Sequence, residues 1–248
     1  MPNSKKLYKY REINEFTFKI FEDSSLFFAS PNLFNDPYDS FYTEKNGLQD
    51  MAKRLGQPFN DGHKKEQIQK FKKNVAILSL SHNSDNILLW SHYADDHKGI
   101  CLEFEIDDYD NFFNDKTIDN RPLQYTKTPA ILDIHRHQEA LIPAKNGGFL
   151  EGPRYSTNSI DAQCFDALFI KNKIWTYEEE YRFVKRGKPF SAHFQPSNLK
   201  SVIIGSECES TFLIKALLDA FNTKYKTNAT LKKATTNNDD YKMDIDDL

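Results

Sequence analysis

The chain has 248 residues, a mass of 28.9 kDa and 39% hydrophobic residues, enough for one substantial core or for two small ones. No segment approaches the ~20 continuous apolar residues that span a bilayer, and the opening MPNSKKLYKYREINEF lacks the apolar run of a signal peptide, so a soluble, cytoplasmic protein with no membrane attachment is expected. The net charge of -3 and pI of about 6.2 call for no polyanionic partner, and Cys101, Cys164 and Cys208 are too dispersed for a disulfide framework or a CxxC metal site.

In chain order, Leu7–Tyr10 reads as a first strand, Ile13–Phe21 as a helix with Asn14 near its start, and Leu26–Ala29 as a second strand. Pro31 and Pro37 make Ser30–Pro37 a loop, with Asn35 and Asp36 suited either to an Asx-turn or to the edge of a pocket. Leu48–Leu55 and Lys64–Lys73 are polar, helix-prone segments around a loop at Gly56–Gly62. Val75–Ser81 is a continuous apolar strand, and Asn86 to about His97 a helix stopped by Gly99. In the strand Ile100–Ile106, Ile100, Leu102, Phe104 and Ile106 share one face and Cys101, Glu103 and Glu105 the other, which places Cys101 on an exposed face.

Asp107–Pro122 reads as an acidic loop, Leu123–Thr126 as a short strand, and Ile131–Ile142 and Ala162–Phe169 as helices. Glycines and prolines make Ala144–Asn158 an irregular insertion. Tyr177–Val184 and Val202–Gly205 are expected strands, Thr211–Tyr225 an amphipathic helix, and Leu231–Ala234 a last strand. The expected organisation is one α+β domain over 1–238, with mixed or antiparallel sheets forming a central cleft flanked by helices, and an acidic tail at 239–248.

Two clusters stand out chemically. The first is Leu89–Glu105, LWSHYADDHKGICLEFE. On a helix, Trp90, Tyr93 and His97 share a face, and His92 and Asp96 fall at i, i+4. Amphipathic packing explains that pattern as well as a pocket does. The two histidines lack the spacing of a zinc pair, and no metal site is expected. The second cluster is Trp175–Arg182, WTYEEEYR. On a strand, Glu178, Glu180 and Arg182 share one face, the carboxylates about 7 Å apart. A carboxylate held ionised by Arg182 suits ribose hydroxyls or activation of a nucleophile. No GxSxG elbow, Walker A loop or GxGxxG is present.

Phe34-Asn-Asp-Pro-Tyr-Asp39, Leu78-Ser-Leu-Ser81, Leu89–Gly99 and the pattern Lys171-xxx-Trp175-xx-Glu178-x-Glu180-x-Arg182, in that order, resemble bacterial domain-of-unknown-function family 2971. More distantly, a basic and aromatic first strand, a central aromatic element and a late Glu-x-Glu are similar to the ADP-ribosyltransferase superfamily. That resemblance implies two sheets around an NAD-binding cleft. Tyr10 or Arg11 would contact the dinucleotide, Tyr93 or Ser81 would sit by the nicotinamide, and Glu180, with Glu178, would hold the ribose. His92 joins them as a catalytic candidate, and Asn35, Asp36, Trp90, Trp175 and Arg182 as binding candidates. The implied function is NAD-dependent ADP-ribosyl transfer, by a toxin or anti-phage defence effector, to a protein or nucleic-acid acceptor. A non-catalytic nucleotide- or protein-binding module, and a metal-independent ribonuclease using His92, His97 and Lys98, are the alternatives.

Overall fold

The computed structural model describes residues 5–40, 42–44, 62–132, 142–143, 149–150 and 160–248. They fall into two compact units, one formed by 1–29, 76–123 and 174–248, the other by 30–75 and 124–173. The first unit carries β1 (Lys5–Arg11), α1 (Glu15–Asp23), β2 (Ser25–Phe28), β3 (Val75–Ser81), α2 (Ile87–Tyr93), β4 (Ile100–Ile106), β5 (Asp119–Pro122), β6 (Glu180–Arg186), β7 (Phe190–His193), β8 (Leu199–Ile204), α3 (Thr211–Tyr225), β9 (Thr230–Thr236) and β10 (Met243–Asp247).

Eight of these strands form one sheet in the order β10-β9-β8-β4-β1-β3-β6-β5. It is mixed, because β8 and β9 run parallel while β1 pairs antiparallel with both neighbours. This is the α+β architecture expected from the sequence. β2 stays outside the large sheet and pairs with β7, Phe28 opposite Phe190.

Both faces of the sheet are covered. Leu7, Leu78, Leu80, the even-numbered residues of β4, and Phe183 pack with Ile20 and Phe21 of α1 and Ile214, Leu218 and Phe221 of α3. Phe104, Phe112, Phe113 and Phe194 fill that layer with edge and stacked ring contacts. The opposite layer holds Tyr8, Tyr10, Cys101 and Ile203 beneath Leu89, Trp90 and Ala94 of the α2 segment. The alternation of β4 is therefore as expected, but Cys101 is fully buried, because α2 covers its face too. Burial holds its thiol well above the usual thiol range.

The chain end is part of the sheet. Met243 is buried, and Asp244–Asp247 of β10 lie opposite Lys232–Thr235 of β9 in antiparallel register, so acidic residues face basic ones across the pair.

The second unit holds a short turn at Pro31–Leu33 capped by the Ser30 hydroxyl, the helices Gly62–Lys73 and Ile160–Ala167, and short strand pairs such as Gln124–Thr126 with Ile170–Asn172. Ala130–Leu132 and Ile142–Pro143 are strands where a helix over Ile131–Ile142 is expected. The expected helix at Leu48–Leu55 and most of the two expected loops, Gly56–Gly62 and Ala144–Asn158, lie outside the described residues. Among the described residues, no helix is long and apolar enough to cross a membrane.

Candidate functional site

The first unit contains an open cleft of about 500 Å³ beside the start of α1 and the end of α2. It is lined by Lys9, Tyr10, Arg11 and Glu12 on one side, and by Ser91, His92, Tyr93, Asp95 and Asp96 on the other. The first group belongs to β1 and its exit; the second belongs to α2 and the turn that follows.

α2 starts at Ile87, one residue after the expected start at Asn86, and ends early. Asn86 caps it, its side-chain oxygen accepting from the Leu88 N–H at 2.9 Å. The helix stops at Tyr93 rather than continuing to His97. Asp95, Asp96 and His97 then take positive φ angles of 49°, 49° and 67°. Consecutive left-handed residues with side chains cost of order 1–2 kcal/mol each, less for Asp, so surrounding contacts must hold the turn. The His97 N–H donates to the Trp90 carbonyl at 3.3 Å, and the Glu207 N–H to the His97 carbonyl at 3.1 Å. Gly205 lies directly against His97, where a Cβ would stand 1.9 Å from the carbonyl oxygen.

Leaving the helix undoes the expected faces. His97 no longer shares one with Trp90 and Tyr93, and its buried Nδ1 has no hydrogen-bond partner among the described residues. Asp96 meets Ser91, whose hydroxyl donates to it at 3.4 Å, instead of pairing with His92 at i, i+4. His92 is exposed and makes edge contacts with Tyr93 and Trp175. Trp90 is fully buried, and its Nε1–H donates to the Ser84 carbonyl at 2.9 Å. Tyr10 packs edge-on against it and donates to the Asn83 carbonyl, and burial raises its phenol well above the usual range.

The late cluster is also built differently from the expected strand. Lys173–Glu178 is a 3-10 segment, Glu179 turns the chain with φ 44°, and β6 begins at Glu180. Glu178 and Glu180 are therefore not alternate residues on one strand face. The Glu178 carboxylate accepts from the Tyr93 hydroxyl at 2.7 Å, and its backbone carbonyl from the Ser81 hydroxyl at 2.5 Å. Glu180 receives the Arg182 guanidinium on both oxygens, Nε at 2.6 Å and Nη2 at 3.3 Å. With Arg182 only 1% exposed, the guanidinium depends on such partners.

The cations of the cleft are less well satisfied. Lys9 Nζ donates to the Ser79 carbonyl at 2.8 Å. Burial, and secondarily the nearby Arg11 charge, lower its pKa to about 8 against an opposing pull from Glu180. Among the described residues, the buried Arg11 Nε has no hydrogen-bond partner, and burial lowers its pKa too. Lys9, Glu12, Ser91 and Asp95 are lining residues that sequence reasoning misses. The available signal is Lys9 and Arg11 alternating with the buried Tyr8 and Tyr10, charge inside a core strand.

Asn35 and Asp36 belong to the second unit, where Asp36 accepts from the Tyr38 N–H at 2.8 Å in the Asx-turn foreseen as one option. In the same unit, Lys171 and Asp39 form a buried ion pair at 3.4 Å, joining two motifs far apart in sequence. Among the described residues, no group of three or more His, Cys, Asp or Glu side chains is placed to hold a metal ion.

Residues 89–183 match a family described as "Protein of unknown function (DUF2971)". The matched stretch starts in α2 and ends in β6, so it contains Tyr93, Glu178, Glu180 and Arg182. No curated protein and no solved structure matches the chain.

Proposed function

We propose that the cleft binds a nucleotide, with NAD as the leading ligand, and that the domain transfers ADP-ribose from it to a macromolecular acceptor. The observation that carries this reading is the joint placement of Lys9 and Arg11 in one cleft with Tyr93, whose hydroxyl is bonded to Glu178. Two cations, one with a donor unsatisfied among the described residues, suit a pyrophosphate. The opposite rim carries Asp95 and Asp96, a setting that favours the positively charged nicotinamide ring.

In the proposed step the bond between ribose C1′ and the nicotinamide nitrogen breaks. The electron pair leaves with neutral nicotinamide, and C1′ takes on oxocarbenium character. A carboxylate beside C1′ stabilises that positive charge. The acceptor's oxygen or nitrogen then bonds to C1′ and gives up its proton. Glu178 suits the stabilising role because it already meets a cleft-lining side chain. Glu180 supports the site through Arg182.

The second reading, a non-catalytic nucleotide-binding module, is favoured by the engagement of both Glu180 oxygens by Arg182. For the ribonuclease, only His92 of its three residues lines the cleft; His97 and Lys98 do not.

Incubation with NAD, following nicotinamide release with and without cell lysate as acceptor, separates the first two readings. ADP-ribosyl transfer predicts release that falls at least ~100-fold in Glu178→Gln, with an unchanged circular dichroism spectrum. NAD binding without release leaves the binding module, and neither binding nor release removes both.

A further inference from the structure

Lys9 invites a second kind of chemistry. It lines the cleft while remaining part of a core strand, and it is only partly exposed. Its Nζ donates to the Ser79 backbone carbonyl at 2.8 Å. Arg11 follows two positions later on the same strand and lines the same cleft. A lysine desolvated beside a second cation is the general arrangement that frees an ε-amine to act as a nucleophile at neutral pH. The lowered pKa of Lys9, about 8, agrees with that geometry. Neighbouring Lys6, on the same strand, is instead committed to Glu103 at 2.6 Å, and its pKa is raised.

We propose that Lys9 is a nucleophilic lysine that captures an anionic aldehyde or ketone in the cleft, Arg11 holding the phosphate or carboxylate of that ligand. The neutral amine attacks the carbonyl carbon and gives a carbinolamine. With one proton taken up, the carbonyl oxygen leaves as water, and the product is an iminium linking Nζ to the former carbonyl carbon. No oxidant or reductant is consumed. The iminium keeps the positive charge of the ammonium, so the attraction between Lys9 and Glu180 survives the reaction. This inference rests on the cleft and its cations, and it does not require NAD to be the natural ligand.

The probe is pyridoxal 5′-phosphate, which carries both an aldehyde and a phosphate. The intact protein is incubated with a substoichiometric amount across pH 6–11, reduced with borohydride, and mapped by peptide mass spectrometry. The expected result is preferential labelling of Lys9 over the exposed Lys98 and Lys226, with a half-maximal rate near pH 8. Arg11→Gln is expected to reduce Lys9 labelling at least fivefold at pH 7 and to move its midpoint upward. Labelling of Lys9 no faster than of Lys98, or a midpoint near the ordinary lysine value of about 10.4, would overturn the proposal without needing any variant to fold. Nicotinamide release on the same preparation separates the two readings: selective labelling without NAD turnover keeps the lysine and removes the transferase, and turnover without selective labelling does the reverse.

Discussion

Lys6 and Lys9 lie on the same strand, yet the two ends of β1 treat charge in opposite ways. At the Lys6 end, Glu103 is buried within β4 and receives Lys6 at 2.6 Å, Lys232 at 2.9 Å and the Ser201 hydroxyl. Burial alone would raise its pKa, but the three donors outweigh burial and bring it down to about 2. At the Lys9 end, the balance falls the other way: Lys9 has a carbonyl, the buried Arg11 Nε has no partner among the described residues, and both pKa values are lowered. Where partners complete a buried charge, the arrangement serves the fold. Where they fall short, the missing partner is what the proposed ligand would supply.

That contrast is best broken at its mechanical support. The cleft wall at Asp95 and Asp96 rests on a left-handed turn, and Gly205 gives it room. In Gly205→Ala the new Cβ meets the His97 carbonyl oxygen at 1.9 Å and its carbon at 2.6 Å, both backbone atoms that cannot swing aside. A loss of at least ~3 kcal/mol is expected by urea unfolding. A stability near wild type would show that the turn does not depend on this close approach.

Glu103→Gln tests the completed end. A loss of about 2 kcal/mol at neutral pH is expected, allowing for the partial exposure of Lys6 and Lys232. Because the folded pKa of Glu103 is depressed, its contribution is fully present above the unfolded value of 4.5 and fades as pH falls toward 2. The wild-type and variant stability curves should therefore converge over that window, and ligand binding in the cleft should be unchanged. Parallel curves through the window would contradict the assignment.

Lys9→Met sharpens the comparison with the opposite sign. The folded pKa of Lys9 lies below its unfolded value of 10.5, so the unfolded chain binds more protons between about 8 and 10.5. Wild-type stability gains from this site as pH rises through that window. The variant is expected to be more stable by about 1 kcal/mol at pH 7, after allowance for the partial exposure of Lys9. The advantage should disappear above pH 10.5. A variant less stable than wild type at pH 7 would mean that Lys9 supports the fold as Lys6 does.

Much of the scaffold is legible in the sequence because its signals are local. The apolar run Val75–Ser81, the alternation of Ile100–Ile106 and the amphipathic Thr211–Tyr225 match the observed elements, and Asn14 caps α1 by accepting from the Phe16 and Thr17 N–H groups. The two site clusters are visible as clusters, but their geometry is not. A helical reading carries α2 to about His97, because nothing local in Asp95-Asp96-His97 announces a left-handed turn; its support comes from Gly205 and Glu207, far along the chain. The period-two reading of Glu178–Arg182 fails for a related reason. Glu179 reverses the backbone, its N–H donating to the Thr176 carbonyl and its carbonyl accepting from His82. Lys9 is hidden for a third reason, since its lowered pKa depends on burial and on Arg11, which composition does not show.

The most direct test of the account is calorimetric titration with ADP-ribose, which carries the pyrophosphate and ribose without a bond to cleave. Wild type, Arg11→Gln and Lys6→Gln are compared at pH 7. Binding by wild type, weakened at least tenfold in Arg11→Gln, a loss of ~1.4 kcal/mol, and unchanged within twofold in Lys6→Gln, is the predicted result. No binding by wild type, or equal losses in both variants, would contradict the claim that the unsatisfied end of β1 is the ligand site.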